Sequence, residues 1–392
     1  MTRTTDVLIA GGGVIGSACA YFLMQQSGWR GRVVVVEPDP TYRYAASALS
    51  ASSIRQQFSS PINIRMSQFG IEFLRDLEAG ELPGGDAADI GLVESSYLYL
   101  ATEAGLPALA RNVAAQQECE VDVTLLTVAE LAAKYPWLAT ADLVAGADTE
   151  SCEGWFDGYA LLSELRRRAE ALGAVYVRDR VTDVRLHRER VDIACLASGE
   201  RWSCGTLVNA TGTASAELAS RIGLDLPVRP RKRSVFVFQC ATPVAAVPLV
   251  IDPSGLWFRP ERDRFICGLP PRPDPDVALD DFDVPAQIFD REVWPALAAR
   301  VPAFEAIRLA STWAGHYDYN VFDQNACIGR APRVANFLLA SGFSGHGMQQ
   351  APAVGRGLAE LIAYGAYVSL DLSPLGYDRY LHNEPLIELN VI

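Results

Sequence analysis

The strongest constraint in this 392-residue sequence is a glycine cluster set between an apolar strand pattern and an apolar-faced helix pattern near the amino end. Asp6 to Ala10 reads as a buried strand, Val14 to Ser27 as a helix and Arg32 to Val36 as a second, β-branched strand. Between the first strand and the helix lies Gly11-Gly12-Gly13-Val14-Ile15-Gly16, whose Gly11, Gly13 and Gly16 satisfy G-x-G-x-x-G. In a βαβ unit each glycine has a task. Gly11 permits a tight turn, Gly13 lets a phosphate approach the backbone, and Gly16 lets the helix sit close on the strand. The helix start, with Val14 and Ile15, then turns its free amides and positive dipole toward a pyrophosphate. Glu37 closes the second strand about 20 residues further on, where a carboxylate accepts hydrogen bonds from ribose hydroxyls. These residues predict a dinucleotide site. They do not choose between NAD and FAD, which share the adenosine diphosphate half.

A chain of this length predicts two packed units rather than one. With 49% apolar and 21% charged residues its composition is that of an ordinary globular protein. A net charge of -13 argues against nucleic-acid partners, because phosphate is repelled across most of such a surface. Eight cysteines are scattered without CxxC or CxxH spacing, which suggests free thiols in a reducing compartment and no zinc or other metal site. The short apolar run Val7 to Ala10 leads straight into glycines and reads as neither a signal peptide nor a membrane span. A cytoplasmic protein with no membrane partner is the expectation, its oligomeric state open. Lysine occurs only at 134 and 232 while arginine is abundant, a bias read as that of a GC-rich bacterial genome.

Three later clusters decide the cofactor. The first is Ala45 to Ser53, rich in small and hydroxyl side chains including Ser47 and Ser53, followed by Arg55 and a helical run from Pro61 to Leu77. Such a segment suits a loop packed closely on a ligand. In the second, Asp157 caps a helix from Gly158 to Leu172, strands follow at Val175 to Arg178, Val181 to Leu186 and Val191 to Leu196, and a last buried strand, Thr206 to Ala210, ends in Thr211-Gly212. Its carboxyl end is where open α/β sheets bind ligands. The third runs from Asp323 to Gly329, through the strand Phe337 to Ala340, into Ser341-Gly342-Phe343-Ser344-Gly345-His346-Gly347-Met348-Gln349-Gln350, and a helix from Ala351 to Tyr364. The amino end of that helix suits a group that gains negative charge on reduction.

Together these clusters resemble the D-amino-acid-oxidase-like superfamily of FAD-dependent amine oxidoreductases, in the branch of sarcosine oxidase and glycine oxidase, over nearly the whole chain. The resemblance implies an α/β fold: a Rossmann-like FAD domain from residues 1–85, 150–222 and 322–392, and a substrate domain with a large mixed or antiparallel sheet from 86–149 and 223–321. It implies that Gly11, Gly13, Val14, Ile15, Gly16 and Glu37 hold the adenosine diphosphate and that Val181 borders the adenine. Ser47, Ser53, Ala210, Thr211, Gly212, Gly342, Gly345, His346, Gly347 and Met348 are expected to contact the cofactor. Arg55 stands where sarcosine-oxidase-like members keep an arginine for the substrate carboxylate, a task suited to a guanidinium fork. The implied reaction oxidises the C–N bond of glycine, an N-substituted glycine or a related secondary amino acid: hydride passes to flavin N5, water hydrolyses the imine, and oxygen gives hydrogen peroxide.

Departures from the family pattern carry information. Gln349 replaces the lysine that follows the GFSGHG loop in sarcosine oxidase, so a neutral donor stands beside Arg55. Tyr317 occupies the region where glycine oxidase and D-amino-acid oxidase place an arginine. His316 stands near the cysteine that tethers FAD in monomeric sarcosine oxidase, and Cys327 lies too far along, so non-covalent FAD is expected. The lysine that helps oxygen react there falls near Pro270 here. That opens the alternative of a dehydrogenase with another electron acceptor, and because a fold does not imply a function, a non-catalytic flavin-binding assembly protein is a further one. His346 is expected either to touch the flavin or to brace its own loop, and Tyr97, Tyr99, Trp257 and Phe258 to be pocket wall or sheet core.

Overall fold

The computed structural model describes residues 2–285 and 287–389. Val33–Glu37 is an unbroken apolar run ending in a carboxylate, and such a strand must be covered on both faces. It lies in a sheet whose parallel core runs, in order, through Val334–Ser341, Arg201–Asn209, Thr2–Ala10, Val33–Glu37 and Val175–Arg178. Val181–His187 and Arg190–Leu196 extend it as an antiparallel pair, and Cys327–Ala331 pairs with Val334–Ser341. Helices Val14–Gln25, Pro61–Ala79, Gly158–Ala171 and Gly347–Ala363 bury one face, with Ala18, Leu23, Leu161, Leu165, Val354 and Leu358 in a single apolar core. The first strand and helix meet where Gly11 holds φ +94°. A Cβ at Gly16 would lie 1.9 Å from the Gly11 carbonyl oxygen, so only glycine allows this approach.

The second large sheet has the strand order Ile307–Asn320, Val228–Cys240, Arg264–Gly268, Trp257–Glu261, Leu249–Ile251, Tyr97–Ala101, Ala145–Thr149 and Val123–Thr127. All its pairings are antiparallel except Leu249–Ile251 with Tyr97–Ala101. One face packs Phe236, Phe238, Phe258 and Phe304 into a core of its own. Phe258 is therefore core, whereas Trp257, pointing the other way as strand periodicity requires, is not. A small sheet of Ser53–Ile54, Gly154–Trp155 and Val93–Glu94 stitches the two parts together.

Several boundaries differ from expectation. The helix expected from Ala351 begins at Gly347, and buried hydrogen bonds hold the side chains of Gln349 and Gln350 in its first turn. The strand expected at Thr206 begins at Arg201, and Ala210 lies just past its end at Asn209. The capping box of Thr127 and Glu130 forms as the sequence pattern indicates. Gly16→Ala is expected to cost about 2–3 kcal/mol or more, by overpacking against backbone that cannot yield. Thermal denaturation followed by circular dichroism checks this, and an unchanged midpoint is the contrary result.

Candidate cofactor and substrate site

The carboxyl ends of the parallel strands open onto a cavity of about 630 Å³, within the roughly 300–1,000 Å³ usual for small-molecule and cofactor sites. It is lined by Gly11, Gly13, Val14, Ile15, Glu37, Ser47, Val181, Ala210, Thr211, Gly212, Tyr317, Gly345, Gly347 and Met348, all singled out from sequence. Gly13 is the N-cap of helix Val14–Gln25 and offers no side chain, so first-turn amides face the cavity. Ser47 reaches across to accept a hydrogen bond from the Val14 amide at 3.0 Å. Glu37 accepts from the Gly12 and Asp39 amides at 2.8 and 2.9 Å, which fixes its carboxylate at the cavity wall. Burial raises its pKa against the pull of those two amides. Helix dipole, close backbone and an anchored strand-end carboxylate together fit a dinucleotide.

Four expected residues stand elsewhere. Gly16 serves the helix–strand contact and does not line the cavity. Gly342 donates its amide to Asp318 Oδ2 at 2.7 Å and braces the loop from behind. Asp318, buried at the wall of the larger cavity, has its pKa pushed up to about 6 by burial, against the backbone bonds from Phe343 and Gly342. Ser53 and His346 line a second, smaller cavity of about 50 Å³.

That smaller cavity gathers Arg55, Tyr317, His346 and Gln349. It shares Ala51, Trp257, Tyr317 and Gly345 with the larger one, so these four form the neck between them. Arg55 is 3% exposed, its guanidinium 4.5 Å from the centre of the Phe58 ring and 5.9 Å from that of Tyr99. Burial opposes its charge, yet Tyr99, Tyr97, Glu388 and Glu153 outweigh burial and hold its pKa above the ordinary value. His346 Nε2 lies 3.0 Å from Arg55 Nη2. A guanidinium only donates, so Nε2 accepts and the ring proton belongs on Nδ1. His346 thus braces Arg55, a role the sequence did not suggest. Gln349 reaches the same residue, its Oε1 accepting from the Arg55 backbone amide at 2.9 Å. Tyr97 donates to Ser53 Oγ at 2.7 Å and lines the cavity, while Tyr99 stacks behind it.

Two buried carboxylates escaped sequence reading. Glu153 accepts from the Gln56 and Gln57 amides, from Gln57 Nε2 at 3.1 Å and from Thr149 Oγ1, while Gln57 Nε2 also donates to the Tyr97 carbonyl. It therefore ties the Arg55 turn to the substrate-side sheet. Glu388 accepts from the amides and hydroxyls of Ser59 and Ser60 and from Asn63 Nδ2, at the start of helix Pro61–Ala79. Neither lies in a motif; each is recruited across roughly a hundred residues or more by folding. Arg233, which also lines the larger cavity, was equally unmarked. His316 lines the larger cavity, its ring stacked on Phe282 and its Nε2 2.7 Å from the Asp281 carbonyl. Pro270 lines the same wall. Lys232 is paired with Asp281 at 2.6 Å, and Lys134 with Asp148 at 2.8 Å, far along the second sheet.

With a dinucleotide cradle and a small cavity sharing one neck, the chain can be placed by comparison. Residues 6–361 match the family described as DAO, FAD dependent oxidoreductase, and the chain belongs to that family. It is 39% identical to the FAD-dependent oxidoreductase domain-containing protein 1 of Xenopus laevis, over 99% of this chain and 85% of that protein. It is 27% identical to glycine oxidase of Geobacillus kaustophilus, over 97% of this chain and 98% of that one. Its fold matches the crystal structure of L-proline dehydrogenase from P. horikoshii with a TM-score of 0.84 and 23% identity, covering 98% of this chain and all of the other. The Xenopus relative is an animal protein, so the arginine bias is no support for a bacterial source. Among the described residues no helix is long and apolar enough to cross a membrane.

Burial pushes the Glu153 pKa up to about 7, against the hydrogen bonds from Thr149, Gln56 and Gln57. Because the folded pKa is raised, this contribution to stability is fully present below the ordinary carboxyl value and lost as pH rises through about 7. Its size is on the order of 3 kcal/mol. Urea denaturation at pH 5 and pH 8 is expected to show that Glu153→Gln flattens this slope. A wild-type slope retained in the variant is the contrary result.

Proposed function

We propose that this FAD-dependent oxidoreductase oxidises the C–N bond of glycine, an N-substituted glycine or a related secondary amino acid. The observation that carries the reading is Arg55, a charged guanidinium lining a small cavity whose neck opens on the cofactor cavity. Residues 1–85, 150–222 and 322–392 form the cofactor unit in this reading, and 86–149 and 223–321 the substrate unit. In support, the strands of the two large sheets divide between the two sets without exception. Similarity to a glycine oxidase along nearly the whole chain supports the amine class.

FAD, once bound, supplies the acceptor for a hydride from the carbon beside the substrate nitrogen. Gly11, Gly13, Val14, Ile15 and Glu37 hold its adenosine diphosphate, and Gly345, Gly347 and Met348 offer the start of helix Gly347–Ala363 to the other half. Non-covalent binding is supported by the engagement of His316 with Asp281 and Phe282, and by Cys327 being buried away from the cavity. Arg55 takes the substrate carboxylate, held from behind by Gln349, His346 and Glu153's grip on the next two amides. The apolar remainder of the small cavity favours the neutral amine, the form able to release hydride. Water would then hydrolyse the imine, and in an oxidase the two electrons would pass to oxygen to give hydrogen peroxide. Eight free cysteines support a cytoplasmic setting.

A second reading, a dehydrogenase with a non-oxygen acceptor, is favoured by one observation: among the described residues no lysine lines either cavity. Peroxide yield under air against dye reduction without oxygen separates the two. If no amino acid bleaches the flavin anaerobically, both fail in favour of a non-catalytic flavin-binding role. Arg55→Ala is expected to raise KM for carboxylate substrates by on the order of 100-fold, the value of a charge-assisted hydrogen bond pair, and to leave FAD in place. Steady-state kinetics with the flavin absorbance of the purified variant measure both, and an unchanged KM rejects the assignment of Arg55.

A further inference from the structure

The small cavity is unevenly charged. Its lining includes the Arg55 guanidinium and the His346 ring, and among the described residues no aspartate or glutamate. Leu249, Ile251, Ala51 and the rings of Tyr97 and Trp257 complete most of the rest. An ammonium here finds no counter-charge, and desolvating one without a partner costs several kcal/mol. A second carboxylate fares no better, for Arg55 is the only arginine or lysine lining this cavity among the described residues. Arg233, in the larger cavity, already holds Asp274 through both terminal nitrogens at 2.9 and 2.8 Å.

Size is governed at the neck. Trp257 lines both cavities, and it is the largest of the four side chains or backbones they share. Its strand is hydrogen-bonded on both sides, with Ile251 opposite Trp257 in one neighbour and Gly268 opposite it in the other. The indole lies across Gly268: a Cβ there would fall 2.6 Å from Trp257 Nε1. Held between two strands and seated on a residue without a side chain, the ring is a fixed wall and not a mobile surface group.

We infer that Trp257 sets the specificity of this site, and that the substrate is a monocarboxylic amino acid whose end remote from the carboxylate is small, uncharged and apolar. The inference rests on the assignment of the substrate carboxylate to Arg55. Proline-sized or N-methyl-sized substituents satisfy it; a second carboxylate, an ammonium or a large aromatic group does not.

Binding of substrate-like carboxylates to the FAD-loaded protein tests it without turnover. Acetate, malonate and phenylacetate are titrated while the visible flavin spectrum is followed. Acetate is expected to perturb the wild-type spectrum at concentrations where malonate and phenylacetate do not. Trp257→Ala is expected to tighten phenylacetate about tenfold or more and to leave acetate within about threefold, while Trp257→Phe keeps the wild-type order. Trp257→Leu repeats the reading with less packing lost. Phenylacetate or malonate binding the wild type as tightly as acetate overturns the inference, as does an unchanged acetate-to-phenylacetate ratio in Trp257→Ala and Trp257→Leu. An acetate response that survives Arg55→Ala rejects the Arg55 reading itself, and no wild-type response to any of the three rejects both.

Discussion

A positive charge buried where two sheets meet is the constraint around which this site is built. Arg55 stands on a turn of the cofactor-binding part of the chain, and most of what surrounds it is brought in from distant sequence. Gln349 and His346 arrive from the start of the last long helix, Glu153 from just before strand Gly154–Trp155, and Phe58 and Tyr99 supply the faces of rings. A charge in such a place is costly unless polar groups are oriented toward it beforehand. Glu153 and Glu388 meet that need in different ways, the first by gripping the amides that follow Arg55, the second by anchoring the serines a turn further on. The result is a cation whose position is decided before any ligand arrives, which is the condition for orienting a carboxylate with little loss of entropy.

The division of labour between the sheets follows from their construction. The parallel sheet collects helix starts and strand ends at one edge, and a dinucleotide is the ligand that such an edge attracts. The largely antiparallel sheet has one face occupied by its own phenylalanine core, so its other face is left to wall the site with Trp257, Leu249 and Ile251. Chemistry between a cofactor and a small substrate requires the two faces to meet. They do so at Ala51, Trp257, Tyr317 and Gly345, contributed by four separate stretches of chain.

The cofactor half of the site was legible because its signals are local. Gly11, Gly13, Val14, Ile15 and Glu37 act through backbone geometry within one βαβ unit, and a glycine motif flanked by a strand and a helix states that geometry directly. The same holds for Ser47 and for Thr211-Gly212, which mark strand ends and tight loops. Gly342 was found for its loop but placed wrongly within it, since a glycine pattern shows that backbone bends closely without showing which side the ligand occupies. Gln349 and His346 were found for their position, and their contacts to Arg55 were not foreseen. Both turn out to support Arg55, because which partner a side-chain amide or imidazole selects depends on atoms brought in from distant sequence.

Sequence alone determined the dinucleotide cradle, the order of its strands and helices, and the presence of an arginine beside it, since each follows from periodicity, glycine spacing and family pattern along short stretches. Tertiary structure alone decided what surrounds that arginine. The pairing of Glu153 with residues 56 and 57, the burial of Glu388, the placement of Trp257 over Gly268 and the shared neck of the two cavities are contacts between segments far apart in the chain. No local pattern encodes them, because a buried charge and a cavity wall are properties of packing, set only when the two sheets have closed on each other.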